Sequence, residues 1–188
     1  DVSSGTPDSS GNGRSGTGGN PPTLNSSQTP SAYIAVASNT FDGTNDRVNV
    51  GTAALWNTII GNGTGGTSKV TISAWVRKTG DGGTVGKPYG RIMDFGENDI
   101  SLYTTPTEEI RFKTKWDSAE LTWTTPASAI TLNTWAHIIL TYDAAASTND
   151  PKIYVNGVEQ SVSLNSGTRT GAWGGITTNG GFIGNWSS

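Results

Sequence analysis

A chain of 188 residues with 32% apolar and only 14% charged residues has room for one ordinary domain; its abundant Gly, Ser, Thr and Asn suit short strands and tight turns and disfavour a helix-rich fold. The net charge of −3, with no block of Lys or Arg, offers nothing to neutralise a phosphate backbone, so nucleic acid is excluded as a partner. The absence of cysteine removes disulfides, thiolate metal sites and a Cys nucleophile, and no stretch approaches the roughly 18 apolar residues of a membrane-spanning helix.

In chain order, residues 1–31 hold only Val2 and Leu24 as clearly apolar side chains, too few to offset the entropy of ordering them. This segment reads as an arm or linker that is disordered alone. Pro21, Pro22 and Pro30 favour extended backbone, so with Leu24 the same segment suits an assembly arm lying as a strand along a partner. From residue 32 to 188 the pattern becomes short β-branched and aromatic runs punctuated by Gly, Asn and Asp. Strands are predicted at Tyr33–Ala37, Arg47–Val50, Lys69–Lys78, Arg91–Phe95, Ile100–Thr104, Ile110–Lys115, Leu121–Thr124, Trp135–Tyr142, Lys152–Val155, Val158–Leu164 and Gly181–Gly184, with one helical turn at Ala53–Ile60. Val70, Ile72, Ala74 and Val76 alternate with Thr71, Ser73 and Trp75, which puts the first set on an inward face. Asn156-Gly157 between two strands predicts a type I′ hairpin, because both residues tolerate positive φ. The polar, weakly charged composition points to an extracellular setting, secreted, on a cell-surface fibre or on a virion.

Four segments in order resemble the laminin-G-like family of concanavalin A-like sandwiches. They are Phe41-Asp42-Gly43-Thr44-Asn45-Asp46-Arg47-Val48, then Val70-Thr71-Ile72-Ser73-Ala74-Trp75-Val76, then Trp135–Asp143 followed by Ile153-Tyr154-Val155-Asn156-Gly157, and lastly Phe182-Ile183-Gly184-Asn185. The resemblance implies an all-β fold, a two-sheet antiparallel jelly-roll with an extended N-terminal arm, used in glycan binding, adhesion or assembly. It also implies Asp42, Asn45 and Asp46 as candidate calcium ligands, with Asp143 and Asp150 a comparable pair, since hard cations take several oxygens; no cofactor is required. The competing reading has Asp42 accepting backbone N–H groups in a tight turn. His137 is placed as framework.

Paired carboxylates at alternate strand positions, as glycoside hydrolysis needs, are missing. Glu97-Asn98-Asp99 reads as a turn, and the adjacent Glu108 and Glu109 face opposite sides of any strand, so no enzymatic activity is expected. Of seven tryptophans, Trp75 and Trp135 are assigned to the core, while Trp116, Trp123 and Trp173 in polar contexts are candidates for stacking on a sugar. Asn25, Asn62 and Asn185 fit the N-glycosylation pattern.

Members of the resembled family continue past the Ile-Gly-Asn strand with a further strand; if the sequence is complete, one sheet lacks that strand, and an open apolar groove with unpaired backbone groups is expected. The expectation is a structural or adhesive subunit that assembles into a fibre when the arm inserts into a neighbour as a donor strand. The alternatives are an arm that folds back on its own domain, a sequence that is part of a longer protein, and a carbohydrate-binding module of a larger surface or virion protein.

Overall fold

The computed structural model describes residues 17–20, 23–25, 38–61, 68–82, 89–96, 99–117, 119–177 and 179–184. Among these residues, fourteen strands and one helix follow in the order β1 (Thr17–Asn20), β2 (Thr23–Asn25), β3 (Ser38–Thr40), β4 (Arg47–Thr52), α1 (Ala53–Ile60), β5 (Lys69–Arg77), β6 (Gly90–Phe95), β7 (Ile100–Thr104), β8 (Ile110–Trp116), β9 (Ala119–Thr124), β10 (Trp135–Asp143), β11 (Lys152–Val155), β12 (Val158–Gln160), β13 (Ser163–Ser166) and β14 (Gly180–Gly184). They form an eight-stranded sheet in the order β1-β4-β14-β6-β7-β8-β9-β13, a four-stranded sheet β12-β11-β10-β5 and a two-stranded ribbon β2-β3. Each of these pairings is antiparallel, the jelly-roll sandwich that the sequence implied.

Alternation builds both sheets. In β10, Ala136, Ile138, Leu140 and Tyr142 are buried while Trp135, His137, Ile139 and Thr141 are half-buried on the other face. This strand pairs with β5 over nine residues in unbroken register, His137 opposite Trp75 and Leu140 opposite Ile72. In β8, Ile110, Phe112, Thr114 and Trp116 point inward. Between the sheets Phe112, Trp123, Leu102, Ile138, Leu140 and Ile153 are fully enclosed, and each such side chain contributes about 1.5–3 kcal/mol of transfer free energy.

Local signals place the connections. Asn156 and Gly157 adopt φ of 50° and 81°, the positive pair that the β11–β12 hairpin needs. Helix α1 starts where the Thr52 side chain accepts the Leu55 N–H at 3.3 Å and ends at Gly61, φ 88°. The run Val158–Leu164 was expected as one strand, and it divides. Residues 158–160 stay on β11 while residues 163–166 pair with β9 of the other sheet, so the chain changes layers at Ser161-Val162, where Val162 packs on the core. Within the arm, β1 pairs with β4 and β2 with β3. Pro21, Pro22 and Pro30, the predicted strand Tyr33–Ala37, and Asn62 and Asn185 lie outside the described residues.

Candidate functional site

Among the described residues the four-stranded sheet ends at β5, and a cavity of about 400 Å³ opens beside that strand. It is lined by Ile72–Arg77 of β5, by Ser38–Thr40 of β3 with Phe41, and by Ile92, Met93 and Ile183 of the large sheet. At one end Lys78 is buried, its ammonium donating to the Thr105 carbonyl at 2.6 Å and to Glu108 at 2.9 Å, with Asp81 at 3.2 Å. A cation with three acceptors is held in place, which fixes the end of the β5 wall against the loop before β8. Trp75, Tyr89 and Ile183, three of the seven large apolar side chains exposed among the described residues, line this same cleft.

The apolar residues of the large sheet that line this cleft were not singled out from the sequence. Ile92, Met93 and Ile183 carried no signal of their own, because an apolar residue in a short strand reads as core whether or not the facing layer is complete. Trp75 was assigned to the core and is instead 38% exposed, since β5 turns Ser73, Trp75 and Arg77 away from the facing sheet. The alternation of Val70, Ile72, Ala74 and Val76 already contained that answer. The Trp75 ring stacks on His137, centroids 5.0 Å apart at 17°, and His137 Nε2 lies 2.9 Å from Ser73 Oγ. His137 is thus part of a sheet-surface pair.

Trp116, Trp123 and Trp173, proposed from sequence as sugar-stacking faces, require a correction. All three are buried, with indole N–H groups donating to Tyr142 Oη at 3.0 Å, Asp150 at 2.8 Å and Thr114 Oγ1 at 2.7 Å respectively. Their polar neighbours serve the indole nitrogens, which need acceptors when buried. The adjoining rim is closed as well: Trp116 bridges Trp173, and Asp117 and Ala172 exchange hydrogen bonds.

Asp42 accepts the N–H groups of Thr44, Asn45 and Asp46 at 2.7, 3.1 and 3.3 Å, and Asp46 accepts that of Asp42 at 2.8 Å. Asp143 accepts the Ala145 N–H and pairs with Lys69 at 3.1 Å. Asp42 and Asp46 line the cleft beside β5, whereas Asp143 lines a second cleft beside Lys69 and Lys152. Among the described residues no three His, Asp or Glu side chains gather into a set able to hold a metal ion. The Thr44 N–H, followed by that of Asn45, holds the exposed Asp42 carboxyl below the ordinary value of 3.8. A depressed folded value means that this turn stabilises the fold above the ordinary carboxylate range and loses its contribution as pH falls through the folded pKa. In an NMR titration the Thr44 amide should move with a midpoint below 3.8; a midpoint at or above that value would contradict the turn.

Asp99 is fully buried and accepts Lys115 Nζ at 2.7 Å on one oxygen and the Thr177 N–H and Oγ1 at 2.6 and 2.7 Å on the other. Glu108 and Glu109 form a turn, with Glu108 at φ 58°, and both are partly buried in ion pairs, with Lys78 and Arg111. No helix of the described residues is long and apolar enough to cross a membrane.

Residues 42–186 match the family described as the Concanavalin A-like lectin/glucanases superfamily. No curated protein matches the chain. Among solved structures, the binding domain of botulinum neurotoxin DC, determined in complex with rat synaptotagmin II, superposes with a TM-score of 0.48 at 15% identity, over 93% of this chain and 39% of that one. The chain therefore spans about two fifths of that structure's length. With the match covering most of its length and the two antiparallel sheets in place, the chain belongs to the concanavalin A-like lectin/glucanase superfamily.

Proposed function

We propose that the protein is a non-enzymatic extracellular structural subunit that assembles by taking a strand from the N-terminal arm of a second copy into the cleft beside β5. The carrying observation is the cleft itself, walled by the terminal strand of one sheet and by β3, and lined by apolar side chains of the facing sheet. An added strand hydrogen-bonds to an open edge through its backbone and fills the apolar floor with alternate side chains. A donor at one end and an acceptor on the side give a head-to-tail contact that does not close on itself, so copies extend into a fibre. The carboxylates nearest a hydrolase pattern, Asp99 and Glu109, are committed to ion pairs with Lys115 and Arg111, which supports a non-catalytic role.

Size-exclusion chromatography with light scattering tests this reading. The full chain should elute as high-mass species, and the chain lacking residues 1–31 as a monomer; a monomeric full chain would sink the proposal. A second reading, glycan recognition, is favoured by the exposed Trp75–His137 stack, because a flat aromatic face flanked by Ser73 and His137 hydrogen-bonding groups suits a sugar ring. Binding on a glycan array that disappears in Trp75→Ala, from a chain that stays monomeric, would select that reading instead.

A further inference from the structure

We propose that the outer face of the four-stranded sheet is a self-complementary docking surface for a second copy of this chain. Strand alternation turns Lys69 and Trp75 of β5, Ile139 and Asp143 of β10, and Lys152 and Tyr154 of β11 away from the core. The face divides along its strands. Around its middle, Ile139 lies opposite Tyr154 on one side and Ser73 on the other, next to the stacked Trp75 and His137. Toward one end it carries four charges, one on each strand. In sheet order they are Glu159 on β12, Lys152 on β11, Asp143 on β10 and Lys69 on β5, so the signs alternate across the sheet. Their side chains are 52%, 60%, 41% and 62% exposed, and they are joined within the chain as Lys69–Asp143 at 3.1 Å and Lys152–Glu159 at 3.8 Å.

Charge complementarity selects a second copy as the occupant, because an alternating row of four signs is complementary to its own reverse. A two-fold axis parallel to the strands and passing between β10 and β11 sets two such faces together with the strand order reversed, β10 over β11 and β5 over β12. Anion-bearing strands then cover cation-bearing ones throughout. Asp143 meets Lys152 of the second copy, and symmetry makes that contact twice. Asp143 is the next outward residue after Thr141, which pairs with Lys152, and a lysine side chain spans that diagonal step. Ile139 and Tyr154 stand at one level of the β10–β11 register, so the same axis stacks Ile139 on Tyr154 of the second copy. A partner of a single charge sign would instead meet its own sign on every second strand. The face is small, since β11 and β12 contribute four and three residues, so the contact is of the weak, transient class and separates at chromatographic dilution. It does not depend on strand exchange and adds a lateral contact to any fibre that forms.

The test exploits the absence of cysteine from the full chain. Thr141→Cys puts one thiol on the outer face of β10 beside the axis, and Thr122→Cys puts one on the outer face of the large sheet as a control. At millimolar protein, a bis-maleimide spanning about 10 Å, the spacing of packed sheets, should join Thr141→Cys chains into a covalent dimer on a denaturing gel and leave Thr122→Cys chains single. Lys152→Glu or Asp143→Lys, each added to Thr141→Cys, should lower the dimer yield about fivefold or more, since one substitution turns two attractions into two repulsions. An equimolar mixture of these two variants should restore the yield, because each reversed charge then faces its opposite. Mixing does not repair a folding defect, so recovery isolates the contact between copies. A yield from Thr141→Cys no higher than that from Thr122→Cys, a yield indifferent to both charge reversals, or a mixture that stays low overturns the proposal. Each of these outcomes leaves the strand-exchange reading standing, because the thiol reports on this face alone.

Discussion

Trp123→Ala should lower the free energy of unfolding by about 3–5 kcal/mol, the range of large aromatic truncations in a closed core. The Trp123 ring is 0% exposed and lies 5.8 Å from Phe112 at 23° and 5.5 Å from Tyr142. Its N–H donates to Asp150, which also pairs with Arg169, whose guanidinium sits 5.2 Å over the same ring. Truncation thus opens a cavity between the sheets and removes the donor that anchors Asp150. Urea denaturation followed by fluorescence measures the change as a shift of midpoint at constant slope. A loss below about 1 kcal/mol, the ordinary surface range, would mean that this tryptophan faces solvent, as its polar sequence context had suggested.

The second large effect is expected at Asp99. Asp99→Asn keeps the shape but turns an amide NH2 toward either Lys115 Nζ or the Thr177 N–H, donor against donor, at a cost of about 2–3 kcal/mol. The damage should spread to the segment before β14, because Asp99 ties Thr177 to the start of β7. Gly96 belongs to the same unit: at φ 64°, a Cβ there would stand 2.3 Å from Asp99 Oδ2. Hydrogen exchange should accordingly show faster opening of residues 171–177 in Asp99→Asn, together with the drop in midpoint. Unchanged exchange in that segment would contradict the anchor.

These two residues show where sequence reading stops. The strands of the sandwich were legible because β5, β8 and β10 alternate strictly and Asn156-Gly157 punctuates a hairpin. The same alternation, applied strictly, also assigns Trp75 to the surface. The roles of Trp116, Trp123 and Trp173 were not legible, because a tryptophan among Thr, Lys and Asp looks like a surface ring until the partner of its N–H is known. Tyr142, Thr114 and Asp150, which accept from them, lie 26 to 59 positions away in the chain. Asp99 was read as part of a turn for the same reason, since Lys115 and Thr177 reach it from β8 and from the segment before β14. The division of Val158–Leu164 was hidden too, because two short strands in different layers carry no alternation long enough to separate them. The floor of the cleft required the pairing of β14 with β6.

The most direct test of the account is negative-stain electron microscopy of the purified full chain beside the chain lacking residues 1–31. Strand exchange predicts filaments with the full chain and single particles without the arm; single particles from both would contradict it and leave the exposed Trp75–His137 face as the surface to pursue.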